Sequence, residues 1–418
     1  MLAHSPSLPL AIDYFDEYRD ITAEDEAGLI LALEQRDRVR RVHLRMPIQN
    51  LQKFIVAINE EYPMLEYLNI SPTEDCTALV LPEALQAPYI RHLVLHGFAI
   101  PIGNRLLMTA VDLVTLYLFI EHPSAYFQPN FLLRRLSFMP QLETLWFGFS
   151  FPVPNHDVVR QLTRTPTTTY ITLPNLRRVW FRGVSAYLEA VVRHLTAPRL
   201  ERLEIDLFNQ LTFSFPRLLD FLNTTDTLKF SRAEVELSPE RSVAVKVYPR
   251  EAEAYAFRIQ VLCRPLDWLV SSMAQILNAL DQRFSEVEHL TFEDLHDRLF
   301  PGDNNEVDRS EWRKFLRPFR NAKTLSVSNG LVEDISRSLR LEDGDPPLEL
   351  LPELQELRYF GSGHGGDKFK PFIDGRQNAG RPINLIFIRR DLSGLFGLSD
   401  PLNPSDPRSP RSSRSSWM

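Results

Sequence analysis

His92 and His96 stand four residues apart, the spacing at which one face of a helix aims two imidazoles at a single metal ion. Here they bracket Leu93-Val94-Leu95, an alternating run that reads as a strand and turns both rings away from the leucines. They are expected as a pair on a strand surface, without a third ligand. The glycine-rich GSGHGGDK at 361–368 invites a phosphate-loop reading, but it lacks both the Gly-Lys-Ser/Thr ending and the G-x-G-x-x-G order. A loop following a strand at Tyr359 is expected instead. Asp303-Asn304-Asn305-Glu306 is acidic like a calcium loop, yet the glycine and the distal glutamate are missing. Cys76 and Cys263 are the only cysteines, too few and too isolated for a disulfide framework or a thiolate metal site. Local motifs assemble no Ser-His-Asp or Cys-His constellation. The expectation is a non-enzymatic protein with no catalytic, cofactor-binding or metal-binding residues.

Bulk properties narrow the remaining classes. A formal net charge of -7 argues against a protein that grips nucleic acid through a broad basic face. No apolar stretch reaches the roughly eighteen residues of a membrane span. The start of the chain carries no basic segment followed by an unbroken apolar one, so it does not read as a signal peptide. With the sparse cysteines, this points to the cytoplasm or nucleus. The 418 residues exceed what one ordinary core organises, which favours several domains or an elongated array that adds core unit by unit.

One phrase recurs along the chain, Pro-x-Leu-x-x-Leu-x-apolar. It runs Pro63 to Ile70, Pro88 to Leu95, Pro140 to Phe147, Pro174 to Phe181, Pro198 to Ile205 and Pro352 to Tyr359. Versions without the proline centre on Val42, Leu116, Leu228, Leu290 and Leu325, and Ile259 supplies a twelfth centre. Alternation in Leu-x-apolar sends two side chains to one face of a short strand, and the proline suits the start of a strand better than its middle. The leucine three positions before each centre packs the turn that feeds the strand. Between phrases lie segments with helical spacing. Thr22 caps the first, Asn50 one carrying Leu51, Phe54 and Ile55, and Ser185 one carrying Leu188, Val191 and Val192. Two more carry Leu269, Met273, Ile276 and Leu280, and Trp312, Phe315, Leu316 and Phe319.

Centres at 42, 68, 93, 116, 145, 179, 203, 228, 259, 290, 325 and 357 have the spacing of leucine-rich repeats. A strand and a returning helix, repeated, stack parallel strands in a right-handed array. The predicted fold is α/β, an irregular leucine-rich-repeat solenoid with helices on the outer face. It covers residues 1–390 in about twelve repeats, the first unit capping. Ile383 to Phe387 is expected as the closing strand, and 231–250 as an extra inserted strand. The Ser/Pro/Arg-rich tail, 391–418, is expected to be disordered.

Residues flanking the centres would face outward from the inner strand surface. They are Tyr67, His92 and His96, then Tyr117 and Phe119, Trp146, then Arg178, Trp180 and Arg182, and Arg202. Side by side they would make an aromatic stripe edged with arginine, the residue types that dominate binding hot spots. This stripe is the expected partner-binding surface; the alternative is that a loop or insertion covers it and makes the aromatics ordinary core.

The repeated phrases, with the stretch from Leu8 to Met46, resemble the leucine-rich-repeat region of fungal F-box-like proteins, especially the expanded sets of mushroom-forming fungi. The resemblance spans about Leu8 to Ile388. It implies repeats that hold a protein substrate and an F-box that docks on the adaptor of a cullin-RING ubiquitin ligase. No Leu-Pro-x-Glu-type F-box signature precedes Ile12. Two readings stay open, a docking module encoded upstream or a stand-alone repeat scaffold with no link to ubiquitin. The Asn or Cys that such repeats carry five positions after the centre is replaced by Thr73, Phe98, Ser150, Val184 and Phe208, which implies irregular curvature.

Overall fold

A computed structural model describes residues 8–16, 21–74, 79–101, 103–151, 170–238, 242–262, 266–294, 308–340, 349–360 and 366–388. Fifteen strands in it form one sheet. The first eight are β1 (Leu10–Phe15), β2 (Val39–Met46), β3 (Tyr67–Pro72), β4 (His92–His96), β5 (Thr115–Ile120), β6 (Thr144–Phe149), β7 (Arg178–Gly183) and β8 (Arg202–Phe208). The rest are β9 (Arg232–Ser238), β10 (Ser242–Tyr248), β11 (Phe257–Leu262), β12 (His289–Asp294), β13 (Thr324–Val327), β14 (Glu356–Phe360) and β15 (Asn384–Ile388). They lie in chain order except at one place, where β8 is followed in space by β11, β10, β9 and then β12. Every pairing is parallel except the two that β10 makes with its neighbours. The sheet is open, with β1 and β15 at its edges.

The recurring phrase sets the register. Val42 pairs with Leu68, Leu68 with Leu93, Leu93 with Leu116, Leu116 with Leu145, Leu145 with Val179, and Val179 with Leu203. Farther along, Leu290 pairs with Leu325, Leu325 with Leu357 and Leu357 with Leu385. Period-two alternation sends these centres, except Leu385 on the edge strand, into one continuous core, where Leu93, Leu116, Leu145, Leu325 and Leu357 are wholly buried. The turn residues three places earlier, among them Leu65, Ile90, Leu113, Leu142, Leu176 and Leu200, are buried with them. Burying a leucine removes roughly 1.5–3 kcal/mol of unfavourable hydration, so these rows of centres contribute much of the sheet's stability.

A backbone ladder fixes the units to one another. In eight of them, among the described residues, the carbonyl two residues before the centre accepts two N–H groups from the next unit. Glu66 O accepts from Arg91 N at 2.9 Å and His92 N at 3.0 Å, and Arg91 O accepts from Val114 N at 2.8 Å and Thr115 N at 3.0 Å. Val114, Glu143 and Arg177 repeat the arrangement, as do Ser231, Glu288 and Lys323 beyond the reversal.

Helices cover the core face. They are α1 (Ala23–Leu33), α2 (Ile48–Ala57), α3 (Leu106–Thr109), α4 (Pro129–Leu136), α5 (Ser185–Val192) and α6 (Pro216–Asn223), then α7 (Leu266–Ala279), α8 (Asp281–Phe284), α9 (Arg309–Leu316), α10 (Val332–Leu339) and α11 (Gly366–Asn378). Their buried side chains, such as Leu51, Leu133, Leu188, Leu269, Trp312, Ile335 and Phe369, belong to the same core as the strand centres. The alternate strand residues lie on the opposite face.

Several sequence expectations need correction. Leu228 is not a strand centre: its N–H bonds Thr225 O at 3.2 Å, the contact the turn leucines make, and the centre that pairs with Leu290 is Ala233. The register of β11 is set by Phe257, which pairs with Leu203, so Ile259 falls one alternation later. Residues 231–250 supply two strands, β9 and β10, rather than one. Asn50 lies inside α2, because Pro47, with its fixed φ, already occupies the N-cap. Ser185 is the first residue of α5 rather than its cap, and its hydroxyl bonds Gln210 Oε1 at 3.0 Å. Thr22 does cap α1, accepting from Asp25 N at 3.1 Å. The closing strand is β15. Cys76, Cys263, Asp303 to Glu306, Gly361 to Gly365 and the tail at 391–418 lie outside the described residues.

Candidate partner-binding face

In-register parallel strands repeat a side chain every 4.8 Å or so, close to the stacking distance of aromatic rings. Tyr117, Trp146 and Trp180 pair directly across β5, β6 and β7. Their rings lean into a stack: Tyr117 to Trp146 is 5.5 Å with 28° between planes, and Trp146 to Trp180 is 5.3 Å with 24°. All three are half-buried and stand outside the hydrophobic core. Burial, with Glu121 adding to it, holds the Tyr117 phenol above its ordinary pKa.

A second row lies two residues farther along the same strands. His96 stacks on Phe119 at 5.0 Å and pairs with Glu121 at 3.2 Å. Beside Phe119 the register places Gly148, and beyond it Arg182 and Asp206. With no side chain at 148, Phe119 reaches across to Trp180 at 6.1 Å, and the Arg182 guanidinium rests 5.9 Å from the Phe119 ring and 5.6 Å from that of Phe208. Phe119 therefore has the expected direction but not the expected exposure, being only 9% accessible.

The third row holds Tyr67, His92, Arg178 and Arg202. Arg41 lies over Tyr67 at 4.2 Å, and Tyr67 meets His92 at 6.1 Å. Desolvation, helped by Arg91, keeps the His92 imidazole below its ordinary pKa. On a strand His92 and His96 stand roughly 13 Å apart along the backbone, too far to share one ion. Arg178 is exposed. Arg202 pairs with Glu204 at 2.8 Å and covers Tyr255 at 3.9 Å. All ten residues expected in the stripe thus fall on one face, Phe119 forming its floor.

Past β8 the face changes character, and sequence reading gave no hint of it. Arg258 holds Asp206 at 2.8 Å, while Tyr255 donates to Glu204 at 3.0 Å. Burial raises the Asp206 pKa against the pull of Arg258 and Arg182. Glu234, Glu236 and Glu293 bring carboxylate oxygens within 4.8 Å of one another. Lys246 pairs with Glu236, and Tyr248 donates to Glu234 at 2.8 Å. Glu234 and Glu236 alternate along β9, and Glu293 approaches them because β9 lies beside β12.

No family model matches the chain, and no curated protein matches it either. Among the described residues, no helix is long and apolar enough to cross a membrane.

Proposed function

We propose that the chain is a leucine-rich-repeat-like solenoid that acts without catalysis, holding a partner protein on the face that carries the aromatic stack. The carrying observation is the row Tyr117, Trp146 and Trp180, three large rings half-exposed on the face opposite the helices. Rings of this size bury 150–250 Å² each when covered, by general estimate roughly, and a contiguous apolar row left at the surface marks an interaction site. The rings are stacked on one another, so a partner meets their edges. Arginines at the border supply the polar handle that hot spots use.

The sequence resemblance gives this reading its specific form: the bound protein is a substrate for ubiquitination, delivered through a cullin-RING adaptor in the cytoplasm or nucleus. Affinity capture at native expression, with proteins quantified by mass spectrometry, tests both levels. The double variant Trp146→Ala/Trp180→Ala is expected to lose at least nine-tenths of a specific partner that Val56→Ala, on the exposed side of α2, retains. Equal recovery by both variants overturns the binding face. Recovery of the partner without a cullin adaptor overturns the ubiquitin form and leaves a stand-alone scaffold.

A further inference from the structure

Arg182 is held in an unusual state for a charged side chain. Phe119 and Phe208 flank its guanidinium, their ring centroids 5.9 and 5.6 Å from its central carbon. Its Nε is buried and has no hydrogen-bond partner among the described residues. A guanidinium carries five donors and is best satisfied by a carboxylate accepting two of them side by side. Asp206 is its register partner on β8, but the Asp206 carboxylate is taken by Arg258 at 2.8 Å.

Arg178, four residues earlier on β7, is exposed and makes no ion pair among the described residues. The other arginines bordering the stack are engaged, Arg202 with Glu204 and Arg41 over Tyr67. Two arginines therefore sit on one strand, roughly 13 Å apart, with Trp180 between them on the same face, Arg178 exposed and Arg182 sharing the pull on Asp206 with Arg258. An extended peptide repeats this geometry: side chains at i, i+2 and i+4 share a face over the same length.

Building on the partner-binding reading, we propose that the face takes an extended acidic segment of the partner, of the form acidic-x-apolar-x-acidic. Its two carboxylates meet Arg178 and Arg182, and the apolar side chain between them lies against the edges of Trp180 and Trp146. The carboxylate at Arg182 meets the terminal nitrogens of a guanidinium already held between two rings, so it contributes more than the one at exposed Arg178.

A random-peptide display library selected on the full chain tests this. The expected enrichment is acidic residues four apart with an apolar residue midway. Affinity of an enriched peptide should fall at least tenfold in Arg182→Gln and about threefold in Arg178→Gln, with unchanged near-ultraviolet circular dichroism, and Arg182→Lys should restore only part of the loss. Enriched peptides without paired acids, or no enrichment, overturn the acidic segment. Selection that survives Arg178→Gln/Arg182→Gln but fails in Trp146→Ala/Trp180→Ala overturns the acidic segment while leaving the partner-binding face standing. Selection indifferent to both variants overturns the two together.

Discussion

A methyl group at position 148 would have nowhere to go. An ideal Cβ there would lie 2.9 Å from Arg182 Cβ, 3.0 Å from the Arg182 carbonyl oxygen and 3.0 Å from Trp180 Cζ3. One of these neighbours is backbone, so the strand itself would have to shift. Gly148→Ala, a change that usually favours a strand, is expected instead to destabilise by about 1–3 kcal/mol through overpacking. It should also alter tryptophan emission, because Trp180 must leave its place against Trp146. Urea denaturation followed by fluorescence checks both; unchanged stability and emission would mean that the notch does not shape the stack. The same glycine explains why Phe119 was only half legible. Alternation gave its direction, but its burial depends on an empty place in the neighbouring strand, known only once β5 and β6 are set in register. Arg182 is similar: its type and face could be read from Arg178-Val-Trp-Phe-Arg182, whereas its seat between two rings draws on three strands.

At the level of elements, the units are joined by main chain as much as by leucine. Glu143 is exposed, yet its N–H donates to Val114 O at 2.9 Å and its carbonyl accepts from Arg177 and Arg178. Glu143→Ala should therefore change stability by no more than about 0.5 kcal/mol. Glu143→Pro, which removes the N–H and leaves Val114 O with Thr144 N alone, should destabilise by roughly 1–3 kcal/mol through the lost bond and backbone strain. Thermal unfolding of the pair measures the difference, and equal midpoints would contradict a ladder that holds the units. Elements were legible wherever a leucine phrase coincided with a strand, as at Leu93, Leu145 and Leu203. They were misread where local sequence imitates the phrase. Thr225-x-x-Leu228 has the turn but not the strand, and Phe257 and Ile259 alternate identically until β8 selects one of them. The cap expected at Asn50 failed for a local reason, since its N-cap preference yields to Pro47 already fixing the extended residue before α2, whereas Ser185 gives way to Val184.

Across the whole molecule, one sheet divides its open face between two kinds of chemistry. From β3 to β7 it carries stacked aromatics bordered by Arg178 and Arg182. From β8 to β12 it carries matched ion pairs and a carboxylate trio tempered by Lys246 and Tyr248. The boundary falls beside the reversal of β9, β10 and β11, the one place where chain order and spatial order part. Composition could not show this division, because a net charge of -7 averages over it. The long parallel sheet was legible from the spacing of the phrases; the reversal was not, since nothing in 231–250 states which strand lies beside β8. The claim on which the functional reading rests is that the aromatic half of this face meets another protein. Site-specific photo-crosslinking in the native cell tests it most directly, with a benzophenone side chain placed at Tyr117 and, as a control, at Val56. The account predicts a discrete cross-linked partner from position 117 and none from position 56. Cross-links from position 117 that return only to the chain's own residues 152–169 would contradict it, making the stack the floor of a covered core.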